Sequence, residues 1–307
     1  MKKILVIGAS GFVGRRVAQA LLADGYGVRC VARSPARVQD LAQAGGEVVQ
    51  GDISDPASMR RALDSVDAAY ISIHTLSPQH SDTAGQGFMD VEMNGLQNIV
   101  TACRTNGVRR LIYVTFLGAA PEAPSAWIRE RWKAEQFLLN SGLEVTVIRP
   151  GQIVGVGGQG FKMMVGQAKS RVAAVLGSGQ QKWRNIALDD LVYYLVGVLN
   201  DPRAYGHCYD VGCDDVLTYN QMIDVGAEVL GRHHPTKIHL SPTLLGALAP
   251  LIERASKLPK GSIKGLVDGT KADAVGDPTP IRKILPRPPL SYREAVERAL
   301  TGSTWTE

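Results

Sequence analysis

The sequence predicts an α/β fold in which a doubly wound parallel sheet is followed by a small C-terminal α/β cap. Short apolar runs alternate with segments of helical periodicity through the first half of the chain. A glycine-rich turn follows the first run, and the alternation stops beyond residue 150. Such alternation is typical of strand–helix–strand units with right-handed crossovers. We predict that residues 1–155 form the sheet domain and that residues 156–307 complete its edge and form the cap.

The strands of the first half are predicted from continuous apolar runs, as expected when both faces of a parallel sheet are buried. They cover residues 4–7, 28–32, 47–50, 67–73, 111–115 and 145–148. The intervening helices are predicted from apolar residues at helical spacing and from their caps. They cover residues 11–23, 35–44, 56–63, 88–105 and 128–139. Ser34 with Pro35 begins the second helix, Asp55 caps the third, and Asn106-Gly107 ends the fourth.

The second half is less regular. Five glycines in residues 151–160 predict a mobile loop. The other predicted elements are helices over residues 188–199, 219–230, 242–258 and 291–300, and a strand over residues 208–211. Residues 242–258 are mostly apolar and contain Pro250. We expect this helix to be buried against the sheet edge or a partner subunit, with peripheral contact to a membrane surface as the alternative.

Composition excludes several classes of protein. With 45% hydrophobic and 21% charged residues, the 307-residue chain is neither disordered nor collagen-like. No apolar stretch is long enough to span a membrane, and the formal charge of +5 comes without a dense basic block, so we expect no nucleic-acid partner. The four cysteines form no CxxC pair, and Met1-Lys2-Lys3 leads directly into a strand. We therefore expect free thiols and a cytoplasmic location, with a monomer or a homodimer as the assembly.

The turn Gly8-Ala9-Ser10-Gly11-Phe12-Val13-Gly14 lies between the first strand and the first helix. Glycines at this spacing allow a tight turn, close approach of the backbone to a pyrophosphate, and close packing of helix on strand. The free N–H groups and the dipole of the helix then face the negative charge. In a strand–turn–helix followed by further such units, the turn predicts a Rossmann-type fold with a dinucleotide site.

Several motifs in the same order resemble the extended and atypical short-chain dehydrogenase/reductase families. They are the G-x-x-G-x-x-G turn, Gly51-Asp52-Ile53, Asn94-Gly95-Leu96-Gln97-Asn98, the stretch from Gly107 to Thr115, and the stretch from Ser141 to Gly151. The resemblance is closest to NmrA-like members, and the C-terminal part is also similar to the reductase-like accessory subunit of respiratory complex I. It implies that Asp52 contacts the adenine and that the segment ending at Arg149-Pro150 runs under the nicotinamide.

The form of the cofactor is predicted from the end of the second strand. An NAD site places an acidic residue about 20 residues past the glycine turn, but Arg33 stands there instead. A guanidinium at this place holds a 2′-phosphate through charge-assisted bonds, with Ser34 and Arg37 close by, so NADP(H) is favoured over NAD(H). The predicted cofactor site comprises Gly8, Ser10, Gly11, Phe12, Val13, Gly14, Arg33, Ser34, Arg37, Asp52, Ile53, Ile73, Lys133, Pro150 and Ile153.

The catalytic relay that the resemblance implies is incomplete. Reductases of this superfamily use Ser or Thr with a Y-x-x-x-K pair. The lysine aligns as Lys133, the place of the tyrosine is Arg129, and the place of the serine is Phe116, with Thr115 as a substitute one residue earlier. Two of the three groups are therefore absent, which disfavours ordinary ketone or sugar-epimerase chemistry.

Three interpretations remain open. Lys133 orients the cofactor alone while hydride reaches an activated C=C, a quinone or an imine; Arg129 stabilises developing negative charge; or the site binds NADP(H) without chemistry, as a redox sensor or assembly factor. His74 is a further candidate proton donor at the sheet edge, and Trp127 a candidate wall of an apolar pocket. We favour a reductase of a small, flat, apolar substrate. No metal site is predicted, since His233, His234 and His239 lack neighbouring carboxylates in the sequence.

Overall fold

A parallel sheet of seven strands forms the centre of the molecule. The computed structural model describes residues 2–73, 88–255, 262–269 and 271–302. Its strands are β1 (Lys3–Ile7), β2 (Gly27–Ala32), β3 (Glu47–Gln50), β4 (Ala68–Ile71), β5 (Arg110–Val114), β6 (Glu144–Pro150), β7 (Gln152–Val154), β8 (Val172–Leu176), β9 (Lys182–Ala187), β10 (His207–Val211), β11 (Val216–Thr218) and β12 (Thr236–Leu240). The central sheet has the order β3-β2-β1-β4-β5-β6-β10, and all its neighbouring strands are parallel. This is the Rossmann order with one strand added beside β6.

Helices cover both faces of this sheet, and further helices belong to the C-terminal cap. They are α1 (Phe12–Ala23), α2 (Gln39–Gln43), α3 (Pro56–Ala62), α4 (Phe88–Asn106), α5 (Ala126–Leu139), α6 (Gln159–Lys169), α7 (Leu188–Gly197), α8 (Tyr219–Val229), α9 (Pro242–Ala255), α10 (Ser262–Gly269), α11 (Thr279–Ile284) and α12 (Tyr292–Thr301). Successive residues of β1 enter different cores because side chains alternate along a strand. Ile4 and Val6 pack with α1 and α7, whereas Leu5 and Ile7 pack with α3, α4 and α5.

The six strands and five helical segments predicted for the first half are present. Two details differ. The segment after Ser34 begins as a 3₁₀ turn, Pro35–Val38, and becomes α-helical only from Gln39, without a hydrogen bond from the Ser34 side chain. The predicted strand over residues 67–73 is limited to β4. Asp55 caps α3 as predicted, since its carboxylate accepts a 2.9 Å hydrogen bond from the Ala57 N–H.

The second half forms a cap with two small sheets. β7 pairs with β9 and β9 with β11, while β8 pairs with β12. Helices α6, α8 and α12 supply the apolar core of this cap. The expectation of a mobile loop over residues 151–160 was wrong, because β7 lies within it and α6 begins at Gln159. Here the glycines allow close packing: a Cβ at Gly151 would lie 2.0 Å from the Arg184 carbonyl oxygen.

Helix α9 contains Pro250 as predicted, and its outer face is not buried within the chain, since Leu244, Leu248 and Leu251 are exposed by 63%, 44% and 69%. The expected burial against the sheet edge therefore does not extend to this face, and burial against a partner subunit or contact with a membrane surface stays a prediction. Among the helices that the structure describes, none combines the length and apolarity needed to cross a bilayer.

Candidate functional site

The glycine turn lies at the carboxyl edge of the sheet, beside the ends of the neighbouring strands β1 and β4. The strand that follows β1 in the chain, β2, lies on one side of this pair, and the strand that follows β4, β5, lies on the other. Gly8 has φ +92°, and a Cβ on it would lie 2.0 Å from the carbonyl oxygen of Ser72 at the end of β4. Gly14 permits contact between α1 and the turn, because a Cβ there would lie 2.3 Å from the Gly8 carbonyl oxygen. Helix α1 has neither a side-chain cap nor an acidic residue in its first turn. Its N-terminal N–H groups therefore suit an anionic ligand.

A cleft of about 1720 Å³ opens over this turn and continues toward the cap. Its volume exceeds the roughly 300–1,000 Å³ of a typical small-molecule pocket. Of the predicted site residues, thirteen line this cleft: Gly8, Ser10, Gly11, Phe12, Val13, Arg33, Arg37, Asp52, Ile53, Ile73, Thr115, Pro150 and Ile153. The cleft can thus hold a dinucleotide at the turn and a second small molecule beyond it.

Five predicted residues are placed differently. Gly14 lies beneath the turn and acts through packing, as described above. Ser34, Arg129 and Lys133 are not among the lining residues of the cleft. His74 lies outside the described residues.

One end of the cleft carries a group of arginines. Arg33 and Arg37 line it beside Arg15, which the sequence reasoning missed. The Arg15 guanidinium bonds to the Asp40 carboxylate and to the carbonyl oxygen of Arg37, at 2.5 Å for the latter. Hydrogen bonding from Arg15 holds the pKa of the Asp40 carboxyl below its usual range. Arg15 directly follows Gly14 in the first turn of α1, and this position was the sequence signal that it could reach the cleft.

Asp52 faces the same end of the cleft in a fixed conformation. Its Oδ1 accepts hydrogen bonds from the Ser54 N–H at 2.9 Å and from the Ser54 hydroxyl at 2.8 Å. The backbone N–H of Asp52 donates to the Ser58 hydroxyl at 3.0 Å. The Asp52-Ile53 segment is therefore held as a shaped wall of the cleft.

The register of α5 corrects the expectation for Lys133 and Arg129. The buried face of α5 carries Ile128, Arg131, Ala134, Glu135 and Leu138. Lys133 lies on the opposite face, where its ammonium is 2.7 Å from the Glu130 carboxylate and its side chain is 60% exposed.

Arg129 is turned toward the loop that precedes α5. Its guanidinium donates to the carbonyl oxygens of Ala123 and Pro124, at 2.6 and 3.2 Å. The residues that face inward at the four-residue spacing are Trp127 and Arg131, two positions before the predicted pair.

Arg131 is part of a buried ionic cluster below the cleft. Its guanidinium bonds to the Glu92 carboxylate, and both side chains are almost completely buried. The Tyr113 hydroxyl donates to Glu92 at 2.6 Å and accepts from Arg131 at 3.0 Å. Burial raises the pKa of Tyr113, so this phenol stays protonated. The charge of Arg131 is thus balanced inside the protein, and Arg131 is not a lining residue of the cleft.

Trp127 and Phe116 form the aromatic wall of the cleft. Their rings are stacked with centroids 4.6 Å apart and an interplanar angle of 22°. The Arg131 guanidinium lies 5.9 Å from the centre of the Trp127 ring, on its inner side. Met163, Trp183 and Leu240 from the cap continue the apolar lining. This part of the cleft suits a flat apolar molecule.

Thr115 lies where the aromatic wall meets the sheet. Its hydroxyl donates to Glu135 Oε1 at 2.6 Å, and the Phe116 N–H donates to its oxygen. Arg149 Nε donates to both Glu135 oxygens, at 3.1 and 3.0 Å. Burial raises the pKa of Glu135 while Arg149 opposes the rise; because the Arg149 contact is bidentate, we assign Glu135 as ionised. The single hydrogen of Thr115 is then engaged, so Thr115 presents an acceptor to the cleft.

His233, His234 and His239 are not among the lining residues of the cleft. His234 contacts the Glu228 carboxylate at 2.8 Å, and His239 lies in β12. Within the described part of the chain, no group of three or more His, Cys, Asp or Glu side chains is arranged to hold a metal ion.

The sequence profile of a family described as NAD(P)H-binding matches residues 8–202, from the first glycine of the turn to the segment between α7 and β10. The chain belongs to the NAD(P)H-binding family. This membership confirms the predicted nicotinamide dinucleotide cofactor and the Rossmann-type fold.

Relatives of this family member include reductases and assembly proteins. The NAD(P)H azoreductase of Xenophilus azovorans is 27% identical over 232 residues, which cover 74% of this chain and 71% of the azoreductase. The photosystem II assembly factor Ycf39 of Cyanophora paradoxa is 29% identical over 146 residues, 48% of this chain and 44% of that protein. The chain spans only about half the length of several of the curated relatives it matches.

Solved structures show the same fold over nearly the whole chain. An NADPH-dependent quinone oxidoreductase from Escherichia coli, solved with NADPH, has a TM-score of 0.75 at 21% identity and covers 97% of this chain and 99% of its own. A nucleoside-diphosphate-sugar epimerase from Staphylococcus aureus has a TM-score of 0.77 at 15% identity, covering 97% of this chain and 100% of its own. The fold that these structures share with this chain therefore includes the cap as well as the Rossmann-type sheet.

Proposed function

We propose that the protein is an NADPH-dependent reductase of a small, flat, largely apolar acceptor such as a quinone, an activated C=C or an imine. The observation that carries this proposal is the course of the cleft. It runs without interruption from the glycine turn to the stacked rings of Phe116 and Trp127. The cleft therefore offers an aromatic surface to an acceptor beyond the glycine turn.

The donor set of the cleft fits a phosphorylated dinucleotide. The uncapped N-terminus of α1 suits the pyrophosphate, and the Asp52-Ile53 wall suits the adenine. Arg33 and Arg37 suit the 2′-phosphate, with Arg15 held beside them by Asp40. Ile73, Thr115 and Pro150 lie on the route toward the aromatic wall and suit the nicotinamide end.

Because the Thr115 hydroxyl has no hydrogen left to donate, the site favours some hydride acceptors over others. When bound, NADPH supplies a hydride, that is, two electrons and one proton. Reduction of a ketone leaves a strongly basic alkoxide, which needs an acid at the moment of transfer. The anion formed from a quinone is much less basic, and it takes its proton from water. A site in which the Thr115 hydrogen already bonds to Glu135 therefore favours conjugated acceptors, and imines that enter as iminium cations, whose reduction by hydride gives a neutral amine.

Steady-state turnover tests this proposal. We expect NADPH consumption with at least one member of a panel of quinones, azo dyes, enones and imines. Phe116→Ala and Trp127→Ala should raise the KM for the acceptor about tenfold or more, because each removes a stacking surface, while the Kd for NADPH stays within about twofold. If both variants leave the acceptor KM unchanged, the aromatic wall is not the acceptor site.

A non-catalytic NADP(H) sensor or assembly factor is the second candidate. The observation that favours it is the buried ion pair of Arg131 and Glu92, which leaves the nicotinamide end without an available cation from α5. An assembly factor among the relatives supports the same candidate. It predicts tight NADPH binding without NADPH consumption by any acceptor.

A further inference from the structure

The exposed large hydrophobic side chains of the described residues lie in two segments of the second half of the chain. Among the described residues, the large hydrophobic side chains that are exposed to solvent are Val156, Met163, Val172, Ile238, Leu240, Leu244, Leu248 and Leu251. All of them belong to residues 151–181 and 232–264. Patches of this kind mark interaction surfaces.

The same two segments are rich in cations and nearly free of acids. Residues 151–181 contain Lys162, Lys169 and Arg171 and no acidic residue. Residues 232–264 contain six Lys or Arg residues and one acidic residue, Glu253, an excess of +5 that equals the formal charge of the whole chain. Glu253 is buried and accepts from the Ile263 N–H at 2.8 Å. Lys237 pairs with Asp224 of α8, and the other charged side chains that the structure describes as exposed in these two segments are all basic: Lys162, Lys169, Arg171, Arg232, Arg254 and Lys264.

Strand pairing brings the two segments together into one surface. β8 and β12 run parallel, with Ala174 opposite Ile238 and Leu176 opposite Leu240. α9 follows β12 directly and presents Leu244, Leu248 and Leu251 at the four- and three-residue spacing of one helix face.

Cations lie at both ends of this surface. Lys169 and Arg171 precede β8, and the Arg232 guanidinium donates to the Lys169 carbonyl oxygen at 2.7 Å. Arg254 is exposed one turn after Leu251. The apolar surface is also continuous with the cleft, because Leu240 and Leu245 line the cleft from the same elements.

We propose that this surface, formed by β8, β12 and α9, binds the headgroup–acyl boundary of a membrane that contains anionic phospholipids. An amphipathic helix bordered by Lys and Arg inserts its apolar face at this depth, while its cations contact lipid phosphates. A second copy is a poorer occupant, because a two-fold contact would place the same cation-rich segments against each other. This proposal does not depend on the proposed reductase activity.

Vesicle sedimentation with the full chain tests the proposal. We expect binding to vesicles of phosphatidylcholine with phosphatidylglycerol, and weak or no binding to phosphatidylcholine alone. Screening should reduce binding strongly at about 0.5 M salt. Leu244→Asp with Leu251→Asp should weaken binding about a hundredfold, since two exposed apolar side chains are replaced by charges. NADPH affinity should be unchanged in this variant, because neither leucine lines the cleft.

A charge variant gives an independent measurement with a matched control. Lys169→Ser with Arg171→Ser should weaken vesicle binding about twentyfold or more, at roughly fivefold per cation. Arg60→Ser with Arg61→Ser removes the same charge from α3, outside this surface, and should leave binding within about threefold. The proposal is overturned if the protein does not bind anionic vesicles or if the Lys169/Arg171 variant binds as the control does. A concentration-dependent dimer that the leucine variant dissociates, without vesicle binding, also overturns it.

Discussion

Arg33 is the side chain that we propose to select between two nearly identical cofactors. It stands at the end of β2, at the place where an acidic residue would bind the 2′-hydroxyl of NAD, and it lines the cleft. Sequence spacing sufficed to predict this position, because strand length and turn length fix the distance from the glycine turn. The neighbouring contribution of Arg15 depends on the contact between α1 and Asp40, which sequence spacing does not show.

Substitution of Arg33 should change cofactor preference. Arg33→Ala removes a charge-assisted contact to the 2′-phosphate, worth about 1.5–3 kcal/mol, so the Kd for NADPH should rise roughly tenfold to a hundredfold. The Kd for NADH should change little, since NADH carries no 2′-phosphate. Fluorescence titration with both cofactors measures this. Equal affinities of the unmutated protein for NADPH and NADH would contradict the assignment.

Helix α5 shows why a motif is a weaker guide than the register of the element that carries it. Lys133 is the residue that the family resemblance places at the site, because the motif requires a lysine. The apolar spacing of Ile128, Ala134 and Leu138 already placed Lys133 on the opposite face of the helix. The ion pair of Arg131 with Glu92 could not be predicted, because Glu92 comes from α4, 39 residues earlier.

Substitution by Met at two nearby positions of α5 should affect the free energy of unfolding very differently. Lys133→Met removes an exposed ion pair, so the free energy of unfolding should change by about 0.5 kcal/mol or less, and kcat should be retained. Arg131→Met leaves Glu92 as an uncompensated buried charge, which should lower the free energy of unfolding by about 3–5 kcal/mol.

Urea unfolding and steady-state kinetics measure both effects. Glu92→Gln added to Arg131→Met should restore part of the lost stability, because the unpaired charge is then removed. A folded Lys133→Met variant whose kcat falls more than about tenfold would contradict the register described for α5.

At the scale of the whole molecule, the central sheet and the cap helices α8 and α12 were predictable, and the small sheets of the cap were not. Buried parallel strands are read from continuous apolar runs, and Gly8 directly follows the end of β1. The cap strands are short and only partly buried, and β7 has three residues within a glycine-rich stretch. β7 pairs with β9, and β9 with β11, through contacts between residues distant in sequence, which local patterns do not encode. The boundary between domains at residue 155 stays a prediction.

The buried thiols should make the whole molecule less stable as the pH rises into the alkaline range. Burial raises the pKa of both Cys30 and Cys103 from 9.0 to about 12. Above about pH 9 the unfolded chain releases these protons while the folded protein retains them. The free energy of unfolding should therefore fall with rising pH between about 9 and 12, by roughly 1.4 kcal/mol per pH unit for each thiol.

Urea unfolding at a series of pH values between about 9 and 11 measures this slope. Cys30→Val should reduce the slope by the share of one thiol, whatever its effect on stability near neutral pH. A Cys30→Val variant with the same slope as the unmutated protein would show that this thiol is accessible in the folded state.

The claim that the cleft transfers hydride to an apolar acceptor is tested most directly by a single turnover. Protein in excess over NADPH is mixed rapidly with a quinone, and the nicotinamide absorbance is followed in time. We predict that NADPH is consumed in one exponential phase, with equimolar hydroquinone formed and a rate that saturates as the quinone concentration rises. Bound NADPH that reacts no faster than free NADPH, with the quinone and with every other acceptor of the panel, would contradict the account and leave a protein that binds the cofactor without using it.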